Sequence, residues 1–285
     1  MSTLTLAIQK KGRLSEKSLR LLENSGIKVS NGTRKLQTAA RNFPLEVLFL
    51  RDDDIPQYVA QGVAHIGIVG QNEVLEQGHA VQEVLPLGFA TCRLCLAVPR
   101  ELEYPGLQWF ESKRVATSYG NILARFFAEK GINANIEPIS GSVEIAPGIG
   151  LADGICDLVS TGNTLLMNGL KEVATVLTSE ATLIANLNLD ADTRALLDQL
   201  VFRIQAVQAA SANKYILLNA PNSSIEAISQ LLPGMKSPTV LPLAEPGWSS
   251  LHSVVREDAF WPTINQLKSL GAEGILVVPI EKMIA

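Results

Sequence analysis

The 285-residue chain is short of the features that mark several large protein classes. Its three cysteines, Cys92, Cys95 and Cys156, are too sparse and odd in number for a secreted disulfide framework and suit reduced thiols. Cys92-x-x-Cys95 has no second pair, and positions i and i+3 of a strand point to opposite faces, which favours a structural role over a zinc or dithiol site. The three histidines, His65, His79 and His252, share no metal-ligand spacing. No apolar run approaches the roughly 18 residues of a membrane span. The basic residues Lys10, Lys11 and Arg13 follow the first apolar segment, the reverse of a secretory signal, so a cytoplasmic protein with no membrane partner is expected. A basic excess is also missing. With 24 Lys and Arg against 28 Asp and Glu, the net charge of -4 argues against a nucleic-acid partner. Gly-x-Ser-x-Gly, His-Glu-x-x-His and Gly-Lys-Ser/Thr motifs are absent, which removes serine hydrolase, zinc protease and phosphate-loop readings.

What remains is an ordinary globular composition, 47% apolar and 18% charged, on a chain long enough for two or three domains. Strand-like and helix-like segments alternate, which predicts an α/β architecture with largely parallel sheets. Strands are expected at Leu4 to Ile8, Leu45 to Leu50, Ala64 to Val69 and Lys113 to Thr117. Ser15 is the expected N-cap of the first helix, with Leu14 and Leu19 stapled across it, and Gly26 its stop. The segment 154–164 can be laid over 62–72 with both glycines superposed at an offset of 92 residues, as two related lobes around a cleft would require; chance similarity between parallel-sheet segments is the alternative. From Lys214 the order becomes βαββαβ, the ferredoxin-like plan, after a polar stretch at 209–213 that reads as a linker.

Asp157-Leu158-Val159-Ser160 reads as a strand that ends in the turn Thr161-Gly162-Asn163-Thr164 before a helix. Backbone amides at such a turn, flanked by Ser160, Thr161 and Thr164 hydroxyls, suit a phosphate monoester, and Asp157 is placed for a sugar diol; a capped helix start explains the turn equally well. Ser142 is an expected N-cap, with Glu144 either complementing a helix dipole or acting in a site. Lys10, Lys11, Gly12 and Arg13, with Arg34 and Arg51 in the same lobe, form either a polyphosphate site or a solvated basic face. Asp52, Asp53 and Asp54 fit a helix start better than a magnesium site.

The stretches Gln9-Lys10-Lys11-Gly12-Arg13-Leu14, Arg51-Asp52-Asp53-Asp54-Ile55-Pro56, Lys113-Arg114-Val115-Ala116-Thr117-Ser118-Tyr119 and Gly141-Ser142-Val143-Glu144-Ile145-Ala146-Pro147, followed by 150–165, together resemble the long-form ATP phosphoribosyltransferases. The match runs in order along nearly the whole chain. The resemblance implies two periplasmic-binding-protein-like lobes around a cleft plus a C-terminal ferredoxin-like domain. Expected boundaries are 1–95 with a return segment at about 180–208 for lobe I, 96–179 for lobe II with the phosphoribosyl loop, and 211–285 for a regulatory domain. It implies transfer of the phosphoribosyl group of phosphoribosyl pyrophosphate to N1 of ATP, the first step of histidine biosynthesis. Catalytic roles would fall to Arg13, Arg34, Glu144 and Asp157. Phosphoribosyl pyrophosphate would be bound by Asp153, Asp157, Ser160, Thr161, Gly162, Asn163 and Thr164, and ATP by Lys10, Arg13, Arg51 and Gly70. The resemblance further implies Mg2+ held by substrate phosphates rather than by protein side chains alone. Histidine would inhibit through the tail, with Ser237 and Thr239 as effector contacts, and dimers would assemble into a hexamer. His65, Gln71 and the pair Gly148-Ile149 depart from the family pattern.

Overall fold

The computed structural model describes residues 2–30, 36–159 and 162–284. The chain divides into two compact units, residues 1–20 with 27–197, and residues 21–26 with 198–285.

The first unit opens with β1 (Leu4–Gln9), α1 (Arg13–Asn24), β2 (Gln37–Ala39), β3 (Leu45–Leu50), α2 (Ile55–Ala60), β4 (Ile66–Gly70), α3 (Gln71–Gln77) and β5 (Gln82–Pro86). It continues with β6 (Cys92–Pro99), β7 (Arg114–Thr117), α4 (Gly120–Lys130), β8 (Asn135–Pro138), β9 (Gly154–Val159), α5 (Asn163–Met167), β10 (Leu170–Ser179) and β11 (Ala181–Ala185). Two sheets result, ordered β2-β3-β1-β4-β11-β5 and β10-β6-β9-β7-β8. Read backwards, the second repeats the first: β8, β7 and β9 take the places of β3, β1 and β4, all parallel, followed by two antiparallel strands. Strands buried on both faces read as continuous apolar runs, and β4 has Ile66, Ile68 and Val69 fully buried.

The 92-residue offset holds at one of its two glycine pairs. Gly70 and Gly162 are both the N-cap residue of the helix after the strand. Gly62, by contrast, sits in a left-handed turn before β4, whereas Gly154 is the buried first residue of β9, where a Cβ would stand 3.1 Å from the Ala97 carbonyl.

The chain passes between the sheets twice, at 87–91 and at Glu180. The two crossings are bonded together: the Leu87 amide donates to the Ala181 carbonyl and the Ala181 amide to Phe89, both at 2.9 Å. Glu180 Oε2 accepts the Gly88 amide at 2.7 Å.

Three local expectations are corrected. The first helix starts at Arg13, two residues ahead of Ser15, because Gly12 takes a φ of +98° and turns the chain in early; its carbonyl already accepts the Glu16 amide at 3.2 Å. Ser15 is therefore buried inside the helix. Ser142 adopts a φ of +51° without a side-chain cap and leads only a single 3-10 turn, Val143–Ile145. The stretch 209–213 is no linker: α6 (Ala191–Ser211) runs through most of it, held by the buried Leu200, Ile204, Val207 and Ala210 at helical spacing, and ends two residues before the next strand.

The second unit continues with β12 (Asn213–Pro221), α7 (Ile225–Leu231), β13 (Thr239–Pro242), β14 (Trp248–Arg256), α8 (Glu257–Ser269) and β15 (Glu273–Pro279). The antiparallel sheet order β13-β14-β12-β15 is the ferredoxin-like one. Its core joins Ile216, Leu218 and Leu251 to Ile228, Phe260 and Leu267 from the two helices.

Gly67 marks where α2 presses closest on the first sheet. A Cβ there would lie 2.6 Å from Ile55 Cγ2 and 3.1 Å from Val59 Cγ2. Both are buried β-branched residues with little rotamer freedom to give way. Gly67→Ala should therefore destabilise the protein by about 1–3 kcal/mol; a thermal unfolding midpoint equal to the wild type would refute this packing.

Candidate active site

Parallel strands aim their carboxyl ends at a common rim, where ligands of such sheets bind. In the second lobe that rim holds a cavity of about 190 Å³ whose lining includes Glu144, Asp157, Gly162 and Thr164. Asp157 lies on β9, half-buried, with Oδ1 accepting the Leu158 amide at 2.8 Å. Burial raises its pKa above the ordinary carboxylate value, the Leu158 amide opposes this, and the neighbouring Glu144 charge adds to the rise. Gly162, at a φ of +79°, turns the backbone into α5. The amides of the first helical turn have no partner further back along the helix. Asn163 is the exposed first residue of α5.

Other expected site residues stand elsewhere. Asp153 precedes β9 at its opposite end; with six residues at about 3.3 Å each, that is roughly 20 Å from the turn. Its carboxylate accepts the Arg114 amide at 2.9 Å and pairs with the Arg114 guanidinium at 3.6 Å, which holds its pKa below the usual range. Arg51 is already neutralised by a two-point pair with Asp53, at 3.1 and 2.8 Å. Asp52 accepts from Gln9 Nε2 at 3.1 Å. Lys10 and Arg13, at the carboxyl end of β1, are exposed and carry no ion pair to another described residue. Gly70 ends β4, and a Cβ there would collide with Asn72 Oδ1 at 2.3 Å. Arg34, Ser160 and Thr161 lie outside the described residues. A larger cavity, about 530 Å³, lies in the C-terminal unit, but its lining is mostly apolar, with Phe260, Trp261 and Ile264. It lacks the paired carboxylates of the β9 rim.

The family model for ATP phosphoribosyltransferase (HisG) matches residues 51–206, and the model for the HisG C-terminal domain matches residues 210–282. An ATP phosphoribosyltransferase of Parabacteroides distasonis is 57% identical over 99% of both chains. That of Cytophaga hutchinsonii is 58% identical over the full length of both. The chain belongs to the ATP phosphoribosyltransferase family. Among solved structures, the ATP phosphoribosyl transferase (HisG:HisZ) complex from Thermotoga maritima superposes with a TM-score of 0.60 at 29% identity, covering 71% of this chain and 99% of that one. The body of two related α/β sheets with its C-terminal antiparallel domain agrees with that membership.

Two departures from the ATP phosphoribosyltransferase pattern now have structural roles. His65 Nδ1 accepts the Thr5 amide at 2.9 Å and so extends the β1–β4 seam. Gln71 bridges to Glu83 at 3.1 Å through its side chain, and its amide donates to the Glu180 carbonyl. Two acids with no counterpart among the expected site residues also stand out, Glu73 and Glu76. Glu73 and Glu76 look like ordinary acids of a short helix, but both reach the other lobe. Glu73 Oε1 accepts from Tyr119 Oη at 3.0 Å and from Asn72 Nδ2 at 2.9 Å, and Asn72 is bonded in turn to Ser179. The pattern Gly70-x-Asn72-Glu73 after a buried strand is the one signal that could have marked it.

Burial pushes the Glu73 pKa up to about 7, with the Tyr119 hydrogen bond opposing. A carboxyl raised in the folded state contributes stability that is complete below its unfolded pKa of 4.5 and is lost as pH rises through about 7. Glu73→Gln keeps the acceptor and removes the charge. It should raise the melting temperature relative to wild type by a few degrees at pH 8 and by much less at pH 5. An identical difference at both pH values would contradict the assignment.

Proposed function

We propose that the carboxyl-end rim of β9 is the phosphoribosyl site for the reaction of this family. In that reaction N1 of ATP attacks C1 of phosphoribosyl pyrophosphate to give N1-phosphoribosyl-ATP and pyrophosphate, opening histidine biosynthesis. The observation that carries the assignment is the convergence of Glu144, Asp157, Gly162 and Thr164 on one cavity. The turn at Gly162 to Thr164, with Ser160 and Thr161, takes the 5-phosphate through backbone amides and hydroxyls. Asp157 Oδ1 is occupied by Leu158, which leaves Oδ2 to accept from a ribose hydroxyl.

As the adenine N1 lone pair forms the new bond to C1, the bond from C1 to pyrophosphate breaks and its electron pair leaves on oxygen. Positive charge develops on the ribosyl ring and negative charge on the leaving group. Glu144 and Asp157 lie on the ribosyl side, and Lys10 and Arg13, joined by Arg34, serve the leaving phosphates and ATP. Arg51 can join them only by exchanging Asp53 for a phosphate. Asp153 is assigned to holding Arg114, not to substrate. No side chain needs to bond to C1, so rate enhancement rests on electrostatic stabilisation and alignment.

Magnesium fits this donor set as a substrate-borne ion. Among the described residues no three His, Cys, Asp or Glu side chains converge, and Mg2+ commonly takes one or two carboxylates plus substrate phosphates. Glu144 and Asp157 are the acids that would share it, and the ion would neutralise phosphate charge. The C-terminal unit is assigned histidine sensing, with Ser237 and Thr239, both exposed, as contacts. Exposed apolar residues on its edge strands, Val240, Leu241, Leu276 and Val277, support assembly into dimers and a hexamer. A cytoplasmic location is assigned from the biosynthetic reaction; separately, no helix among the described residues is long and apolar enough to cross a membrane.

With ATP, phosphoribosyl pyrophosphate and Mg2+, the pure protein should release pyrophosphate and phosphoribosyl-ATP together. Asp157→Asn and Arg13→Ala should each lower kcat/KM by about 100-fold or more with circular dichroism unchanged. Wild-type rates in both would dismiss the site. Ser237→Ala with Thr239→Ala should raise the histidine concentration for half-inhibition about tenfold at an unchanged uninhibited rate; an unaltered inhibition curve would remove those two residues from the sensor.

A further inference from the structure

Helix α4 begins without a cap of its own. Its N-cap residue is Tyr119, which makes no capping side-chain bond. The Asn121 and Ile122 amides, at the second and third helical positions, are the donors that a Ser or Asp N-cap would normally satisfy. Both instead donate to Glu76, to Oε1 and Oε2 respectively, each at 2.9 Å. Glu76 is on α3, in the other lobe. The contact is reciprocal: the Glu76 carbonyl accepts from Asn121 Nδ2 at 2.9 Å, and the Leu75 carbonyl accepts from the Arg125 guanidinium. A carboxylate thus meets the positive end of α4 while a cation and an amide meet the negative end of α3.

These two helix ends are tied to the two halves of the site. Helix α4 follows β7, whose Thr117 pairs with Cys156 beside Asp157 on β9. Helix α3 follows β4, whose Ile68 pairs with Ile8 on β1, the strand that leads to Lys10 and Arg13. We propose that Glu76 is a positioning residue for phosphoribosyl transfer: by capping α4 from the opposite lobe, it sets the ribosyl pocket in register with the first lobe's cations. The inference rests on the site assignment of the preceding subsection.

The acids and turn around β9 belong to one lobe and can hold phosphoribosyl pyrophosphate with the latch broken. Transfer needs both lobes at a fixed spacing, and misplacement by about 1 Å can cost on the order of 100-fold in rate. Glu76→Ala should therefore lower kcat at least tenfold while the Kd for phosphoribosyl pyrophosphate stays within threefold. Glu76→Gln, which keeps one acceptor oxygen, should recover part of the loss. Arg125→Ala should lower kcat in the same direction, and combining it with Glu76→Ala should cost less than the product of the two single effects. The inference is overturned by kcat within twofold of wild type in folded Glu76→Ala and Arg125→Ala proteins, or by Kd rising in step with the fall in kcat. A wild-type protein that forms no phosphoribosyl-ATP would remove the activity itself, whereas an active wild type with indifferent variants removes only the role of Glu76.

Discussion

Each group proposed to act in phosphoribosyl transfer sits on one of the two sheets or the other, so the proposed site depends on how the two sheets are held together. The chain crosses between them twice, through segments that bond to each other, and α3 and α4 close the contact with their complementary ends. The buried group of Ser179, Asn72, Glu73 and Tyr119 lies in the same seam. Hydrogen bonds in such a network satisfy groups that would be costly to leave unpaired, which makes one arrangement much better than its neighbours. A reaction that must bring an aromatic nitrogen onto a sugar carbon needs that definiteness more than it needs a reactive side chain.

Charge is distributed to the same end. The net charge is -4, yet both substrates are polyanions, so the chain must keep cations available at the rim. Arg93, in register with Val159 at the end of β9, is paired with Glu172, and Arg114 and Arg256 are likewise each paired with an acid. Such exposed pairs contribute little stability, but they leave the surface without a general field for anions. Lys10 and Arg13, at the end of β1, have no such partner among the described residues. The parallel-strand plan puts these cations at the carboxyl end of β1 in one sheet, and Asp157 near the carboxyl end of β9 in the other.

The strands were legible because buried parallel strands are written as apolar runs, and Leu45 to Leu50 and the core of 64–69 match β3 and β4 closely. The ferredoxin-like order was legible from the succession of strand and helix segments, although its strands are antiparallel and alternate between buried and less buried positions. Helix starts were legible at Asp54 and Pro56, which open α2, but not at two other places, since Gly12 turns the chain two residues earlier than the best cap at Ser15, and Ser142 in a left-handed conformation caps nothing. Glu144, Asp157, Gly162 and Thr164 line one cavity, a juxtaposition that the family resemblance implied and local spacing alone did not. Asp153 was expected on the same substrate as Asp157, yet it precedes β9 at the end opposite the turn. Glu73 and Glu76 escaped notice because their partners, Tyr119 and the Asn121 and Ile122 amides, lie 45 or 46 residues away in the other lobe. No local pattern reports such a pairing.

In the reaction proposed for this site the two substrates meet in a direct displacement, with no side chain bonded to the ribosyl carbon. Isotope exchange between labelled pyrophosphate and phosphoribosyl pyrophosphate distinguishes this from a covalent route. With Mg2+ present and ATP withheld no exchange is expected, and label should enter phosphoribosyl pyrophosphate only when ATP or phosphoribosyl-ATP is added. Exchange in the absence of any nucleotide would reveal a ribosyl-enzyme intermediate and overturn direct displacement.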